Sequence, residues 1–267
     1  MKRKIRKKVG FLGAGNMARA LIKGVLGAGL YRPSELWVSD AVAEARRVAR
    51  RRYGVGAAPD NRELVHQSEI VLLAVKPQTM SEVLDEVRDV ASARQLFVSI
   101  AAGVTLRRLE EGLAGRARVI RVMPNTPALL GKGMSVLAPG ANATARDLRQ
   151  ALKIFRGVGE AIAVTDERLL DPVTGLSGSG PAYVYRFAEA LIAAGVSQGL
   201  ADDVANRLVF RTLEGAAAMM LETGMSPKQL REMVSSPGGT TLAGLGELER
   251  LGLIRRGFAG RWEKAVR

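Results

Sequence analysis

The chain is predicted to be an α/β protein, a mostly parallel sheet with helices on both faces followed by an all-helical region. Three observations predict this. Short apolar runs alternate with amphipathic stretches from Val9 to Phe155, the pattern of strand–helix–strand units whose strands are buried on both faces. The first run passes directly into Gly13-Ala14-Gly15-Asn16-Met17-Ala18, which opens the first helical pattern. Strand signals stop after about Thr165, and the remainder of the chain is helical, part of it apolar nearly all round.

Val9–Leu12 reads as a buried strand and Asn16–Gly29 as the helix after it. Between them lies the G-x-G-x-x-A form of the dinucleotide fingerprint: Gly13 makes the tight turn, Gly15 admits a pyrophosphate, and Ala18 keeps helix and strand close. Leu36–Ser39 is a second strand and Ala41–Tyr53 a second helix. Apolar runs at Ile70–Val75, Leu96–Ile100, Val119–Val122 and Met134–Leu137 continue the sheet, with helical patterns at Met80–Val90, Leu106–Leu113 and Ala145–Phe155. Residues 1–165 are therefore expected to form a Rossmann-type dinucleotide-binding domain, with 1–8 as a basic tail. Residues 166–267 form the helical domain. In it Ala182–Val196 and Asp202–Glu222 are long helical patterns, and Pro227–Val234 is a short one with Ser226 as N-cap. A helix without a polar face must be buried, and so short a region cannot hide two of them. It is expected to dimerise.

Composition narrows the chemistry. The chain has 267 residues, no cysteine and one histidine, His66. Thiol chemistry and multi-histidine metal sites are excluded, and no metal is expected. His66 precedes a core strand and is expected at the surface. The net charge of +14 suggests nucleic acid, but six of those charges sit in the tail and aromatics for stacking are few. No nucleic-acid or membrane partner is expected, and the chain is read as cytoplasmic. Attraction of an anionic cofactor accounts for the charge more simply.

Ligands in such sheets sit outside the carboxyl ends of the strands. Ala74-Val75-Lys76-Pro77 and Ala101-Ala102-Gly103 lie there, and Lys76 either touches the cofactor or caps a strand end. Asp40 either accepts from an adenosine ribose or caps the next helix. Ser39 with Arg46, Arg47, Arg50, Arg51 and Arg52 offers hydroxyl and charge to a 2′-phosphate, unless those arginines are a solvated face. NADPH is favoured, with NADH open. Near the other end, Ser235-Ser236-Pro237-Gly238-Gly239-Thr240-Thr241 joins two helical patterns. It is either a plain turn or a cradle for a small anion such as a carboxylate, built from glycine backbone, hydroxyls and a helix N-terminus.

Three segments go beyond the generic: Arg121-Val122-Met123-Pro124-Asn125-Thr126-Pro127, Thr174-Gly175-Leu176-Ser177-Gly178-Ser179-Gly180-Pro181-Ala182-Tyr183, and Val234 through Leu245. With the fingerprint, Ala74–Pro77 and Ala101–Gly103 in the same order, they resemble the pyrroline-5-carboxylate reductases over residues 9–265. The resemblance implies NAD(P)H-dependent reduction of the ring C=N of 1-pyrroline-5-carboxylate to L-proline, the last step of proline synthesis. It implies a homodimer through the C-terminal helices, in some members a decamer. It places the substrate carboxylate on Ser236, Gly238, Gly239, Thr240 and Thr241, with Thr241 next to the ring nitrogen as the candidate catalytic residue. It puts Glu167 near the substrate. It assigns cofactor contacts to Gly13, Ala14, Gly15, Asn16, Met17, Ser39, Asn61, Ala74, Val75, Lys76, Pro77, Ala101, Ala102 and Gly103. Met233 and Gly246 depart from the family pattern. A β-hydroxyacid dehydrogenase shares the layout, and such enzymes resemble one another in a catalytic lysine on a helix of the second domain. After Lys153 this chain has only Lys228, in a first helical turn, and Lys264 near its end. A non-catalytic dinucleotide sensor is the other alternative, although it has no need of the cradle.

Overall fold

The structure is a computed structural model that describes residues 8–250. The first elements run β1 (Val9–Leu12), α1 (Asn16–Gly27), β2 (Leu36–Ser39), α2 (Ala43–Tyr53), β3 (Gly56–Ala57), α3 (Asn61–Gln67) and β4 (Ile70–Leu73). Then come α4 (Met80–Val87), β5 (Leu96–Ser99), α5 (Leu106–Gly112), β6 (Arg118–Met123), β7 (Gly133–Pro139), α6 (Ala145–Arg156), β8 (Gly159–Ala163) and α7 (Leu170–Val173). The sheet order is β3-β2-β1-β4-β5-β6-β7-β8. Every neighbouring pair is parallel except β6 with β7.

Strand alternation builds two cores, one on each face of the sheet. Phe11, Ile70, Leu72, Leu96, Val98, Ile120 and Val122 face one side, where Leu21, Ile22 and Val25 of α1 and Ile154 and Phe155 of α6 meet them. Leu12, Val71, Leu73, Phe97 and Val119 face the other, against Met80, Val83, Leu84 and Val87 of α4, Leu106 and Leu109 of α5, and Leu170. Of the buried positions of α1, Ala18, Leu21, Ile22 and Val25 form the i, i+3, i+4, i+7 stripe of a helix packed on one face, and Ala20 is buried beside them.

The expected α/β class and the six predicted strands are present. Four elements lay outside the prediction: β3, α3, α7 and the edge strand β8. The predicted tail 1–8 is shortened at its end. Lys8 N donates to Glu35 O and Lys8 O accepts from Ile70 N, each at 3.0 Å, so Lys8 already extends β1 between its two neighbours, β2 and β4. Its ammonium pairs with Glu35 at 2.7 Å, which holds the Lys8 pKa above the ordinary value. The tail residues 1–7 lie outside the described residues.

The chain divides into two compact units between Ser179 and Gly180, later than the expected boundary at 165/166. Residues 166–179 pack with the first unit because Leu170 is buried in its core and Val173 lies against it. The second unit holds α8 (Gly180–Ser197), α9 (Asp202–Thr223), α10 (Pro227–Met233) and α11 (Thr240–Arg250). Among its described residues only Ala188 and Ala205 are buried, while Tyr185, Phe187, Leu208 and Phe210 are exposed. No helix among the described residues is long and apolar enough to cross a membrane.

Candidate functional site

The strand order reverses at β1, with β2 and β3 on one side and β4 to β8 on the other. Such a reversal opens a crevice outside the carboxyl ends of the strands. Three predicted segments arrive there: Gly13–Met17 after β1, Ala74–Pro77 after β4 and Ala101–Gly103 after β5. They are tied into the sheet. Gly13 N donates to Ser39 O and Ala74 N to Leu12 O, each at 2.8 Å.

Two glycines of the fingerprint are explained differently. Gly13 has φ +99°, and a Cβ there would lie 2.7 Å from Ala74 O. Both conformation and packing demand glycine. Gly15 has φ −71°, and a Cβ there would meet nothing within 4 Å. Nothing among the described residues requires its bare backbone, so the requirement points outward, to a group approaching the start of α1. No side chain caps that helix, leaving its first-turn N–H groups free for an anion. Ala102 and Gly103 are exposed at the end of β5. These residues fit a dinucleotide.

Of the two roles open to it in the sequence, Asp40 does not take that of helix cap. Its Oδ2 accepts from Ala14 N at 2.7 Å and its Oδ1 from Val42 N at 2.8 Å. The N-cap of α2 is Val42. Asp40 thus clamps the glycine turn to the end of β2. The arginines separate as well. Arg46 donates to the Asp40 main-chain oxygen, while Arg47 pairs with Glu44. Arg50 and Arg51 line a shallow depression with Gly54 and Val55, and Arg52 lies over the Tyr53 ring. At 1.5 Å rise per residue, Arg50–Arg52 stand roughly 10–14 Å along α2 from its start at Ala43, so Arg46 is the cation at the strand end.

Of the other residues expected at the cofactor, Ser39 is buried, Met17 half-buried against the core, and Lys76 exposed. Asn16 Oδ1 accepts from Arg19. Asn61 opens α3, and its amide donates to Glu86 at 2.6 Å, which leaves its oxygen available. His66 is exposed, as expected.

Glu167 is engaged within the first unit. Its Oε1 accepts from Leu106 N at 2.6 Å and from Arg121 Nη1 at 2.7 Å. Arg121 and Asn125 belong to one of the family-like segments, but the sequence assigned neither a role. The Asn125 amide donates to Ser177 and its oxygen accepts from Met134 N at 2.9 Å. The usable signal for Arg121 was a charge inside the apolar run Val119–Val122, since a buried guanidinium needs a partner.

In the second unit the Ser235–Thr241 segment closes α10 and opens α11. Gly238 has φ +71°, and Gly239 N donates to Ser236 O at 3.0 Å. A Cβ on Gly239 would lie 2.5 Å from Ser236 Oγ. Gly238 is therefore needed to fold the turn, whereas a Cβ on Gly239 would require the Ser236 hydroxyl to rotate away. Among the described residues, the hydroxyls of Ser236, Thr240 and Thr241 have no hydrogen-bond partner, and they stand beside the N-terminus of α11. Met233 is 65% exposed, and a Cβ on Gly246 would meet open space. Lys264 of the rival reading lies outside the described residues. No cluster among the described residues could hold a metal ion.

Residues 167–267 match the family model described as pyrroline-5-carboxylate reductase dimerisation. Residues 8–103 match a model described as NADP oxidoreductase, coenzyme F420-dependent. The pyrroline-5-carboxylate reductase of Methanosarcina acetivorans is 44% identical over 94% of this chain and 93% of its own. The chain belongs to the pyrroline-5-carboxylate reductase family. A solved reductase of this family from Coxiella burnetii superposes with a TM-score of 0.90 at 36% identity, covering 98% of this chain and 96% of that one. The pyrroline carboxylate reductase of Plasmodium falciparum, solved with NADP bound, superposes with a TM-score of 0.83 at 31% identity, covering 93% and 92%. In this reductase the matched dimerisation region includes α8 and α9, the helices whose apolar side chains stand exposed.

Proposed function

We infer that this protein is a pyrroline-5-carboxylate reductase, which reduces 1-pyrroline-5-carboxylate to L-proline with a nicotinamide dinucleotide in proline biosynthesis. The observation that carries this is near-full-length identity to curated reductases, joined to a fingerprint turn whose Gly15 is open to an outside group. When bound, the dinucleotide supplies the hydride that reduces the imine carbon.

The chain's own residues bind, orient and polarise. Gly13–Met17 and the start of α1 take the pyrophosphate. Ala101–Gly103 and Ala74–Pro77 offer small, closely packed walls to the ribose and nicotinamide. Ser236, Gly238, Gly239, Thr240 and Thr241 hold the substrate carboxylate, with Thr241 hydrogen-bonding the ring nitrogen. Holding the reacting atoms about 3–3.5 Å apart supplies roughly 7–11 kcal/mol of the barrier. An iminium carbon is already electrophilic, so a dedicated strong acid is not required.

We propose NADPH as the preferred donor, with NADH second. The Asp40 carboxylate is committed to two backbone N–H groups, and the Arg46 guanidinium stands at the same strand end. We further propose a homodimer through α8 and α9, with a decamer as a higher assembly, located in the cytoplasm. Steady-state kinetics on pyrroline-5-carboxylate with each cofactor test the reading. Turnover with a higher kcat/KM for NADPH is expected, and turnover of β-hydroxyacids in place of the imine would refute it.

A further inference from the structure

Glu167 sits where the resemblance suggested a substrate contact, yet its geometry gives it other work. One oxygen holds both the first N–H of α5, from Leu106 at 2.6 Å, and the Arg121 guanidinium at 2.7 Å. The Arg121 side chain is only 6% exposed, so its charge is matched by Glu167 in a place that water barely reaches. Arg121 lies in register with Ser99 at the end of β5, and Ser99 Oγ accepts from Ala101 N at 3.3 Å.

The loop between Ser99 and Leu106 therefore has a hydroxyl at its entry and a carboxylate at its exit. Val104 is buried between them. Ala102 and Gly103 are exposed, and Gly103 turns with φ +73°. Neither can anchor the loop through a side chain, so its course is set by its ends and by the buried Ala101 and Val104. Glu167 is the charged anchor, and it comes from a distant part of the chain.

We propose that Glu167 is a positioning residue, which fixes the Ala101–Gly103 loop through Leu106 and Arg121 and does not touch the imine substrate. This rests on the reading of that loop as a cofactor wall. Removing the anchor lets the wall drift, and a 1 Å displacement can cost about 10²-fold in rate.

The test compares Glu167→Ala, Glu167→Gln and Thr105→Ala in the full-length enzyme. Thr105 caps α5 by accepting from Arg108 N, so its loss loosens the helix while leaving the loop anchor in place. NADPH binding is followed by fluorescence, alongside kcat, KM for the imine and the melting temperature. Glu167→Ala is expected to weaken NADPH binding and lower kcat by up to about 10²-fold, with KM for the imine unchanged. Glu167→Gln, which still accepts from Leu106 N–H, should recover most of the NADPH affinity. Thr105→Ala should leave that affinity as it was. Unchanged NADPH binding with a raised KM for the imine overturns the proposal, and so does Thr105→Ala reproducing the full effect. If Glu167→Ala does not fold, Glu167→Asp takes its place: its shorter arm should weaken NADPH binding, and wild-type affinity overturns the proposal. NADPH binding is read without turnover. An enzyme inert towards pyrroline-5-carboxylate would refute the functional reading and leave this test standing.

Discussion

Phe11 on β1 and Phe187 on α8 are the same side chain in opposite circumstances. Phe11 is 0% exposed, closed in by the helices of its own unit, and Phe187 is 45% exposed. The contrast extends to the units. The first buries its large apolar residues on both faces of a sheet, while the second buries only Ala188 and Ala205 among its described residues. A sheet covered on both faces completes its core within one chain. A helical pair that is apolar on most sides cannot, and needs a second surface. The stability of the first unit should be a property of one chain, and that of the second a property of concentration.

The largest effect separates them directly. Phe11→Ala should cost about 3–5 kcal/mol, read as a fall in the denaturation midpoint that is the same at every protein concentration. Phe187→Glu should instead weaken association by about 2 kcal/mol or more, seen in sedimentation as a shift to smaller species on dilution. Unchanged mass at all concentrations would remove α8 from the interface.

A smaller effect sharpens the contrast at the ligand sites. Thr241→Ala should lower kcat/KM for the imine by about 1.5–3 kcal/mol, the loss of a hydrogen bond to a charged group, and leave NADPH affinity alone. Gly15→Ala should do the reverse. It should change folding stability by less than about 0.5 kcal/mol, since its φ is ordinary and its surroundings open, yet it should weaken NADPH binding measured by calorimetry. Equal NADPH affinity in that variant would mean that no phosphate approaches Gly15.

The smallest expected effect is in acid. The Arg32 backbone N–H, and then the Lys8 ammonium, hold the Glu35 carboxyl below its usual 4.5. A depressed folded-state pKa gives stability that is present above the unfolded value and lost as pH falls through the folded one. Glu35→Gln should be less stable than the parent near neutrality, with the difference vanishing as the carboxylate range is crossed. Urea midpoints at several pH values check this, and a gap that persists in acid would locate the effect elsewhere.

The sequence made legible what depends on local pattern. Six apolar runs became six strands, and the spacing of Met80, Val83, Leu84 and Val87 marked α4. What it hid depends on neighbours. β3 is two residues, Gly56 and Ala57, and exists because Trp37 and Val38 pair with it. β8 is an edge strand with Glu160 near its start and Ile162 facing outward, and its apolar run, Ala161–Val164, is short and built half of alanine. α3 was readable, since Asp60 caps it by accepting from Glu63 N, an acidic N-cap with glutamate three residues on. The site divides the same way. Gly13, Gly15 and the Ser236–Thr241 turn derive from backbone chemistry, whereas the partners of Asp40 and Glu167 are set by how strand ends meet. The five arginines looked alike in the sequence, and helix rise separates them.

The Asp40 clamp constrains how this enzyme can change. A carboxylate that holds Ala14 N–H and Val42 N–H together makes the end of β2 and the glycine turn one mechanical part. An attempt to retune cofactor preference by replacing Asp40 will also loosen the glycine turn, the proposed seat of the pyrophosphate. Selectivity and affinity for the dinucleotide are then inherited together, and a variant that switches cofactor without losing grip must restore the lost tether somewhere else.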